Sequence, residues 1–471
     1  MVNSQKSILL INPSYASVYA GAKIKEGVPY SPVLSLATIA APLLEKGYNV
    51  RIIDLNIAQD PEKEAILSEL KKHSPHYVGI TFTTPLYDEM FKISQWVKEF
   101  DKNIKIIGGG MHVSSFPEDT LLNTSLDIVV IGEGDFALLE ILESEDLSLV
   151  NGVCYKNENG DIIRNPVRGY IQDLDILPFP AWKLFGIEKY RTTDLLARKN
   201  PVGWLETSRG CIYGCVYCSK NVHGRTFRTK SAQRVLSEIE FMLESGFQEI
   251  HIADDCFNTD MDRAKEICRL IIKKGLIFPW ATVTGIRVDR IDKELLLLMK
   301  EAGCYRLYYG IESGDPGVLK KIKKGITPEQ VEFAVKAAKE AGLEVVGFFM
   351  IGLPGETIES MEKTIDFACR LDLDMAKMSI TIPLPATPLY NEWLSKGLIK
   401  KTAWREFNLY TTSEELFDHP DLTWEQIKRY YKKFYHDFYW RPSFILHRLY
   451  QSFKRGTILS DVKHLLRTDW S

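Results

Sequence analysis

Twice along this chain of 471 residues, short β-rich runs alternate with amphipathic helical stretches, a rhythm that commits both halves to parallel α/β architecture. In residues 1–145 the strands are predicted at Ser7–Asn12, Asn49–Asn56, Tyr77–Phe82, Lys105–Gly110 and Asp127–Gly134. Helical patterns such as Ser31–Lys46 and Leu86–Phe100 lie between them. Five such strands predict a flavodoxin-like doubly wound domain, whose ligands bind beyond the carboxyl ends of the strands. Gly108, Gly109 and Gly110 end one strand, and Gly132 and Gly134 end another. Glycines there let a cofactor approach the backbone, although tight turns need them too.

Residues 146–200 read as a linker, with a hairpin around Asn159–Gly160 and the proline-broken run DLDILPFPAW. A second series fills residues 201–400, with strands predicted at Gly203–Ser208, Glu249–Asp254, Trp280–Gly285, Tyr305–Glu312, Glu344–Gly352 and Ala376–Pro383. Six βα repeats make a partial barrel or an open sheet, and strand count does not choose between them. In barrels of this kind the active site lies at the C-terminal strand ends. Cys211–Cys218, Asp254–Asp255, Arg287, Glu312–Ser313 and the turn Ile351–Glu356 all follow such ends, so the chemically conspicuous residues share one rim.

Cys211, Cys215 and Cys218 give the spacing C-x3-C-x2-C, three thiols on one short loop. A 4Fe–4S cubane normally takes four cysteine thiolates, so three leave one iron open, as a catalytic site requires. Zinc is the rival, but structural zinc uses paired C-x2-C or C…H units and no second pair follows. Flanking Gly210 and Gly214 favour a bulky ligand over three chance thiols.

The remaining five cysteines stand singly, which is not a disulfide framework and points to a reducing, cytoplasmic compartment. The N-terminus lacks the apolar run of a signal peptide, and no stretch approaches the ~18 apolar residues of a spanning helix. A net charge of −3 gives no basic field to recruit nucleic acid. The region 401–471 changes character: residues 425–471 hold ten Lys/Arg against four Asp/Glu, a local balance of +6, with Tyr430, Tyr431, Phe434, Tyr435, Phe438, Tyr439 and Trp440 among them. Two readings stand. A helical tail closes its aromatic face over the barrel, or a basic amphipathic helix meets a membrane surface or an apolar substrate.

The cysteine loop, with Tyr217 before its last cysteine, resembles the signature of the radical S-adenosylmethionine (SAM) enzymes. The resemblance implies a partial (βα)6 barrel, cluster ligation by Cys211, Cys215 and Cys218, and reductive cleavage of SAM to a 5′-deoxyadenosyl radical and methionine. The backbone around Tyr217 would meet adenine. The segment Ala253–Asp255 stands where many members carry a Gly-Gly-Glu turn for the methionyl amine, so Asp254 or Asp255 would take the ammonium. The segment Gly310–Gly314, with Glu312 and Ser313, resembles the part near the ribose and methionine carboxylate. Met350–Glu356, with Gly352 and Gly355, resembles the glycine motif flanking adenine. Helix capping is the plainer role for Glu312 and Asp255. Arg287 has either a ligand carboxylate or a neighbouring Asp289 or Asp292 as partner.

The domain order, together with Ile11–Tyr15, Gly108–His112 and Ile131–Asp135, resembles the branch of that family with a cobalamin-binding domain. Cobalamin would lie over the glycine-ended strands at Gly108, Gly109, Gly110 and Gly132. The D-x-H-x-x-G motif of cobalt-ligating domains is missing; Asp54 and Asn56 stand at the corresponding strand end. Cobalt therefore lacks a histidine ligand, or no cobalamin binds; His112, a lone loop histidine, is read as a hydrogen-bonding group. The leading expectation is cobalamin-dependent methylation of an unactivated carbon. Radical cyclisation, C–C coupling or rearrangement is the alternative. A methylthiolating RNA-modifying enzyme is set aside because no cysteine precedes Cys154. A bare electron carrier has no use for the rim carboxylates. The expected partners are a small-molecule substrate, apolar or isoprenoid-like, and a one-electron reductant such as flavodoxin or ferredoxin.

Overall fold

The computed structural model describes residues 6–20, 31–400, 403–408, 414–456 and 458. The first sheet contains β1 (Ser7–Asn12), β2 (Asn49–Asp54), β3 (Tyr77–Thr81), β4 (Lys105–Gly109), β5 (Ile128–Val130), β6 (Val153–Lys156) and β7 (Ile162–Arg164). Their order is β2-β1-β3-β4-β5-β6-β7, with β1 to β5 parallel and β6 and β7 antiparallel. The 2-1-3-4-5 order is the flavodoxin-like one. Every residue of β1 is buried, as expected of a central strand covered by helices on both faces. The Asn159–Gly160 hairpin, placed in the linker by sequence, instead joins β6 to β7 and extends this sheet. The main-chain bonds that continue the ladder from β5 are not visible in residue types.

The second half contributes β8 (Val202–Leu205), β9 (Ser208–Arg209), β10 (Arg228–Thr229), β11 (Glu249–Ile252), β12 (Trp280–Ile286), β13 (Cys304–Glu312), β14 (Glu344–Ile351) and β15 (Met375–Ile380). Six of these form an all-parallel sheet in the order β15-β14-β13-β12-β11-β8, so the barrel is open between β8 and β15. The single predicted strand Gly203–Ser208 splits into β8 and β9. Between them Thr207 turns out of the sheet, donating its N–H and hydroxyl to Asp254 at 2.5 Å each. Helices bury one stripe against the sheet; Ala232–Glu244 inserts Val235, Leu236, Ile239 and Met242, and Ser231 caps it by accepting from the Arg234 N–H.

The helix Trp424–Tyr439 settles the first reading of the tail. Ile427, Tyr430, Phe434 and Phe438 enter the barrel core. Beside them, two tyrosines close the free edge of the sheet. The Tyr435 hydroxyl accepts from the Met378 N–H (3.2 Å) and donates to its carbonyl (3.0 Å); Tyr439 does the same at Ala376 (3.2 and 2.7 Å). An edge strand so capped cannot template pairing with another chain. Residues 459–471 of the predicted tail lie outside the described residues. Among those described, no helix is long and apolar enough to cross a membrane.

Candidate active site

Between β9 and β10, which pair antiparallel, residues 210–227 form the cysteine loop. Gly210 has φ +82°, and a Cβ there would collide with the Thr226 carbonyl, so the turn into Cys211 needs glycine. The barrel grips the loop from several sides. Gly210 N–H donates to Asp255 (2.9 Å), Val216 N–H to the Ile322 carbonyl (3.1 Å), and Leu389 N–H to the Val216 carbonyl (3.0 Å). Lys220 Nζ donates to the carbonyls of Cys211 (2.8 Å) and Tyr213. These bonds position the loop.

All three cysteines are free, with Cys211 and Cys215 half-buried and Cys218 exposed. Desolvation by the walls pushes the Cys218 thiol up to about 11; Lys220 opposes this, and the neighbouring Cys215, Cys211 and Asp255 add to it. A cationic metal centre would take these sulfurs as thiolates and offset the cost of their charge. Among the described residues no three His, Cys, Asp or Glu groups converge as a single ion would require. A cubane places each cysteine on a different iron and so spreads its donors, which is the group this loop fits.

The rim residues divide into those that build the loop and one that faces it. Asp254 is buried, and its carboxylate accepts from Thr207 and Ser208, bracing the start of the loop. Asp255 is exposed beside the loop and carries the acidic charge open to a ligand there. Arg287 pairs with Asp289 through Nε (2.7 Å) and Nη2 (3.0 Å), donates to the Lys324 and Gly325 carbonyls, and stacks 3.6 Å from the Tyr213 ring centre. Glu312 has φ +67°, a backbone strain worth ~1 kcal/mol or more. Its carboxylate accepts from Lys324 Nζ at 2.8 Å and from the Tyr217 hydroxyl, tying β13 to the cysteine loop. Ser313 is fully buried and bonded to Thr364 (3.0 Å). Gly352 and Gly355 have φ +74° and +77°. Burial pushes the Glu356 carboxyl up to about 8 despite the Gly352 and Leu353 amides that it accepts from, and so it holds this turn largely uncharged.

The first domain meets the loop through a network that sequence reasoning missed. Arg209, whose side chain is 4% exposed, donates to Asp135 through Nη1 (2.8 Å) and Nη2 (2.9 Å), and through Nε to Glu206 (2.8 Å). Glu133 receives Arg228 Nη1 (2.7 Å) and His223 Nδ1 (3.3 Å). Glu133 and Asp135 belong to the IGEGD segment after β5, and Arg209, His223 and Arg228 flank the cysteines. The opposite charges of IGEGD and SRGC were the only signal available.

At the ends of β4 and β5, Gly109 has nothing within 4 Å of where a Cβ would sit, and Gly110 (φ +110°) presses its backbone against Phe82. Gly108 packs on Leu126 and Val129, and Gly132 (φ +82°) lies beside the Val222 carbonyl of the cysteine loop. The open space at Gly109 leaves its strand end accessible to a group such as a corrinoid or its tail. Asp54 accepts from Asn12 (2.9 Å), Asn56 (2.8 Å) and the Tyr190 hydroxyl (2.9 Å), all by side chains. His112 is fully buried, caged by Phe82, Tyr87, Phe116 and Trp404, and burial lowers it to about 3. Its Nδ1 meets Thr84 at 3.2 Å, so the imidazole is a neutral packing group held among aromatic rings.

Comparison with known proteins matches residues 205–368 to the radical SAM superfamily and residues 28–142 to the B12 binding domain. An uncharacterized methyltransferase of Pyrococcus horikoshii is 36% identical, covering 89% of this chain and 90% of its own length. Cytidylyl-2-hydroxyethylphosphonate methyltransferase of Streptomyces wedmorensis is 30% identical, covering 92% and 90%. The TsrM structure from Kitasatospora setae with cobalamin and a [4Fe-4S] cluster superposes with TM-score 0.73 at 20% identity, over 91% of each chain. OxsB with aqua-cobalamin gives 0.74 at 18%, over 98% of this chain and 72% of its own. The chain belongs to the B12-binding-domain family of radical SAM enzymes, whose cofactors are a 4Fe–4S cluster, SAM and cobalamin.

Proposed function

We propose that this enzyme methylates an unactivated carbon of a small molecule. The observation that carries the reading is the Arg209–Asp135 and Arg228–Glu133 network, which locks the cobalamin-binding domain against the cysteine loop. A B12-binding domain held against the cysteine loop suits a reaction that needs both cofactors. When bound, the cluster supplies the electron that cleaves SAM, and cobalamin supplies the methyl group. Cys211, Cys215 and Cys218 hold the cluster, Asp255 receives the methionyl ammonium, and the turn at Gly352 and Gly355 flanks adenine. Gly109, with open space where a Cβ would sit, leaves room for cobalamin, while Gly108, Gly110 and Gly132 shape the strand ends beside it, and His112, caged by aromatic rings, would not be the residue that holds its cobalt. Tyr217, Glu312 and Lys324 keep the loop in register with β13. The working compartment is the reducing cytoplasm, in keeping with eight unpaired cysteines, and flavodoxin or ferredoxin is the class of electron donor. Anaerobic purification followed by iron and corrinoid analysis tests the reading. Bound iron and stoichiometric cobalt are expected; cobalt-free protein that still turns over its substrate defeats methyl transfer in favour of another radical reaction.

The substrate has an apolar portion, and the C-terminal region brings the enzyme to it at an anionic membrane surface. Leu446, Leu449, Tyr450 and Phe453 are 68%, 52%, 64% and 76% exposed along one face of the helix Pro442–Arg455. The +6 balance of residues 425–471 complements anionic lipid. Full-length protein should float with phosphatidylglycerol vesicles and lose at least about ten-fold of that binding on paired Leu449→Glu and Phe453→Glu substitution. Wild-type protein that stays in solution refutes the contact.

A further inference from the structure

Ile212, Tyr213 and Gly214, the residues between the first two cysteines, are each met by a cation from elsewhere in the chain. Arg225 Nη2 donates to the Ile212 carbonyl at 3.5 Å, and Arg290 Nε donates to the Tyr213 hydroxyl at 3.3 Å. A Cβ on Gly214 would meet Arg225 Nη2 at 3.4 Å and the Lys323 side chain at 3.9 Å. The bond from the Val216 N–H to the Ile322 carbonyl brings Lys323 here, because Ile322 and Lys323 are neighbours in the chain. Lys323 has φ +56°, a left-handed backbone that glycine adopts more readily than lysine. A long cationic side chain thus occupies a position where the backbone favours none.

Arg225, Arg290 and Lys323 are all exposed, as is Lys320 in the last turn of the helix Pro316–Lys321. Among the described residues none of the four is ion-paired to a carboxylate. Asp289, the acid beside Arg290 in the chain, is held by Nε and Nη2 of Arg287. The other arginines flanking the cysteines differ: Arg209 and Arg228 are buried and matched by Asp135 and Glu133. At the centre of the exposed set, Ile212 is 45% exposed. A small apolar centre inside a charged rim is the form of the small, transient interfaces of electron-transfer partners. Unmatched like charges repel, and an acidic surface docked on them relieves that repulsion. Cys211 directly precedes Ile212 and Cys215 directly follows Gly214, so whatever lies on this patch stands one residue along the chain from two cluster ligands.

We propose that Ile212–Gly214, ringed by Arg225, Arg290, Lys320 and Lys323, is the surface on which an acidic one-electron carrier protein docks to reduce the cluster. One electron leaves the carrier, which is oxidised by one, and the cluster is reduced by one; no bond or proton is exchanged. This rests on the electron-donor class named above, deepens it by placing the donor, and holds whether or not methyl transfer follows. The test is calorimetric titration of anaerobically loaded holoenzyme with an acidic flavodoxin, an acidic ferredoxin and ovalbumin, an acidic protein without a redox group. At least one carrier should bind, and more weakly as salt rises from about 0.01 to about 0.1 M, where the Debye length shortens from about 30 to about 10 Å. Paired Arg225→Glu and Lys323→Glu substitution should weaken that binding at least about ten-fold and slow reduction by the carrier in stopped flow. Iron content and reduction by photoreduced deazariboflavin, a small neutral donor, should stay at wild-type values. Lys323→Gly removes one charge at a backbone angle that glycine prefers, so it folds without strain and should still weaken the carrier. No binding of either carrier, ovalbumin binding as tightly, or wild-type affinity in the paired variant overturns the proposal. In the last case a carrier that still reduces the cluster leaves the donor class standing and removes only this surface.

Discussion

Cys215→Ala, purified and reconstituted without oxygen, will lack the brown absorbance of a 4Fe–4S cluster and will cleave SAM no faster than the background reaction. The reasoning starts from the loop. Its backbone is held by Ile322, Leu389, Asp255 and Lys220, none of which bonds the Cys215 side chain. Truncating one half-buried thiol removes little packing, so the fold and the cobalamin site should survive. With only Cys211 and Cys218 left, a cubane has two protein ligands, and its retention and the open iron are both lost. Far-UV circular dichroism and corrinoid content serve as controls and should match wild type. SAM cleavage that persists in this variant would show that the catalytic iron is held by something else. Zinc in place of iron in the wild type would defeat the same chemistry from the other side.

What could be read from residues alone was what lies close together in the chain. The two strand–helix series, the flavodoxin-like order and the cysteine loop follow from periodicity and from spacings of a few residues. The aromatic tail as a cover for the barrel was legible as well, because Tyr430, Phe434 and Phe438 recur at helical spacing. That Tyr435 and Tyr439 cap a strand edge was not, since nothing local says that β15 is an edge. The rim carboxylates show the same limit. Asp254 and Asp255 are adjacent and identical in type, yet alternation sends one into Thr207 and Ser208 and the other towards the cysteines. Arg287 is likewise satisfied by Asp289 and two carbonyls in ways that only the turn geometry decides. The largest omission, Arg209 with Asp135, joins residues 74 positions apart across two domains.

That ion network carries the second large expectation. Arg209→Ala leaves Asp135 and Glu206 buried or nearly so without their cation, and breaking a buried pair by removing one partner costs about 3–5 kcal/mol. Urea denaturation should show the loss as a lower midpoint, and cluster occupancy should fall because Gly210 and Cys211 follow directly on Arg209. Asp135→Asn, which keeps the shape and halves the hydrogen bonding, should lose less. The pH dependence has two opposed edges. Burial by itself would raise Glu133, but the bond from His223, the charge of Arg209, the Ile171 N–H and Arg228 outweigh it and bring it to about 2. Its contribution is therefore complete above its ordinary 4.5 and is lost as pH falls towards about 2. His223 is shifted upward, since Glu133 and Glu206 together overcome the desolvation that opposes its charge. Its contribution is complete below 6.5 and fades as pH rises through the folded-state value. The domain contact should thus be strongest between those two ordinary values, and thermal melts of wild type against Glu133→Gln should diverge most there. Parallel melting curves across that range would mean that the two domains are held together by other contacts, and the case for one joint cofactor site would lose its support.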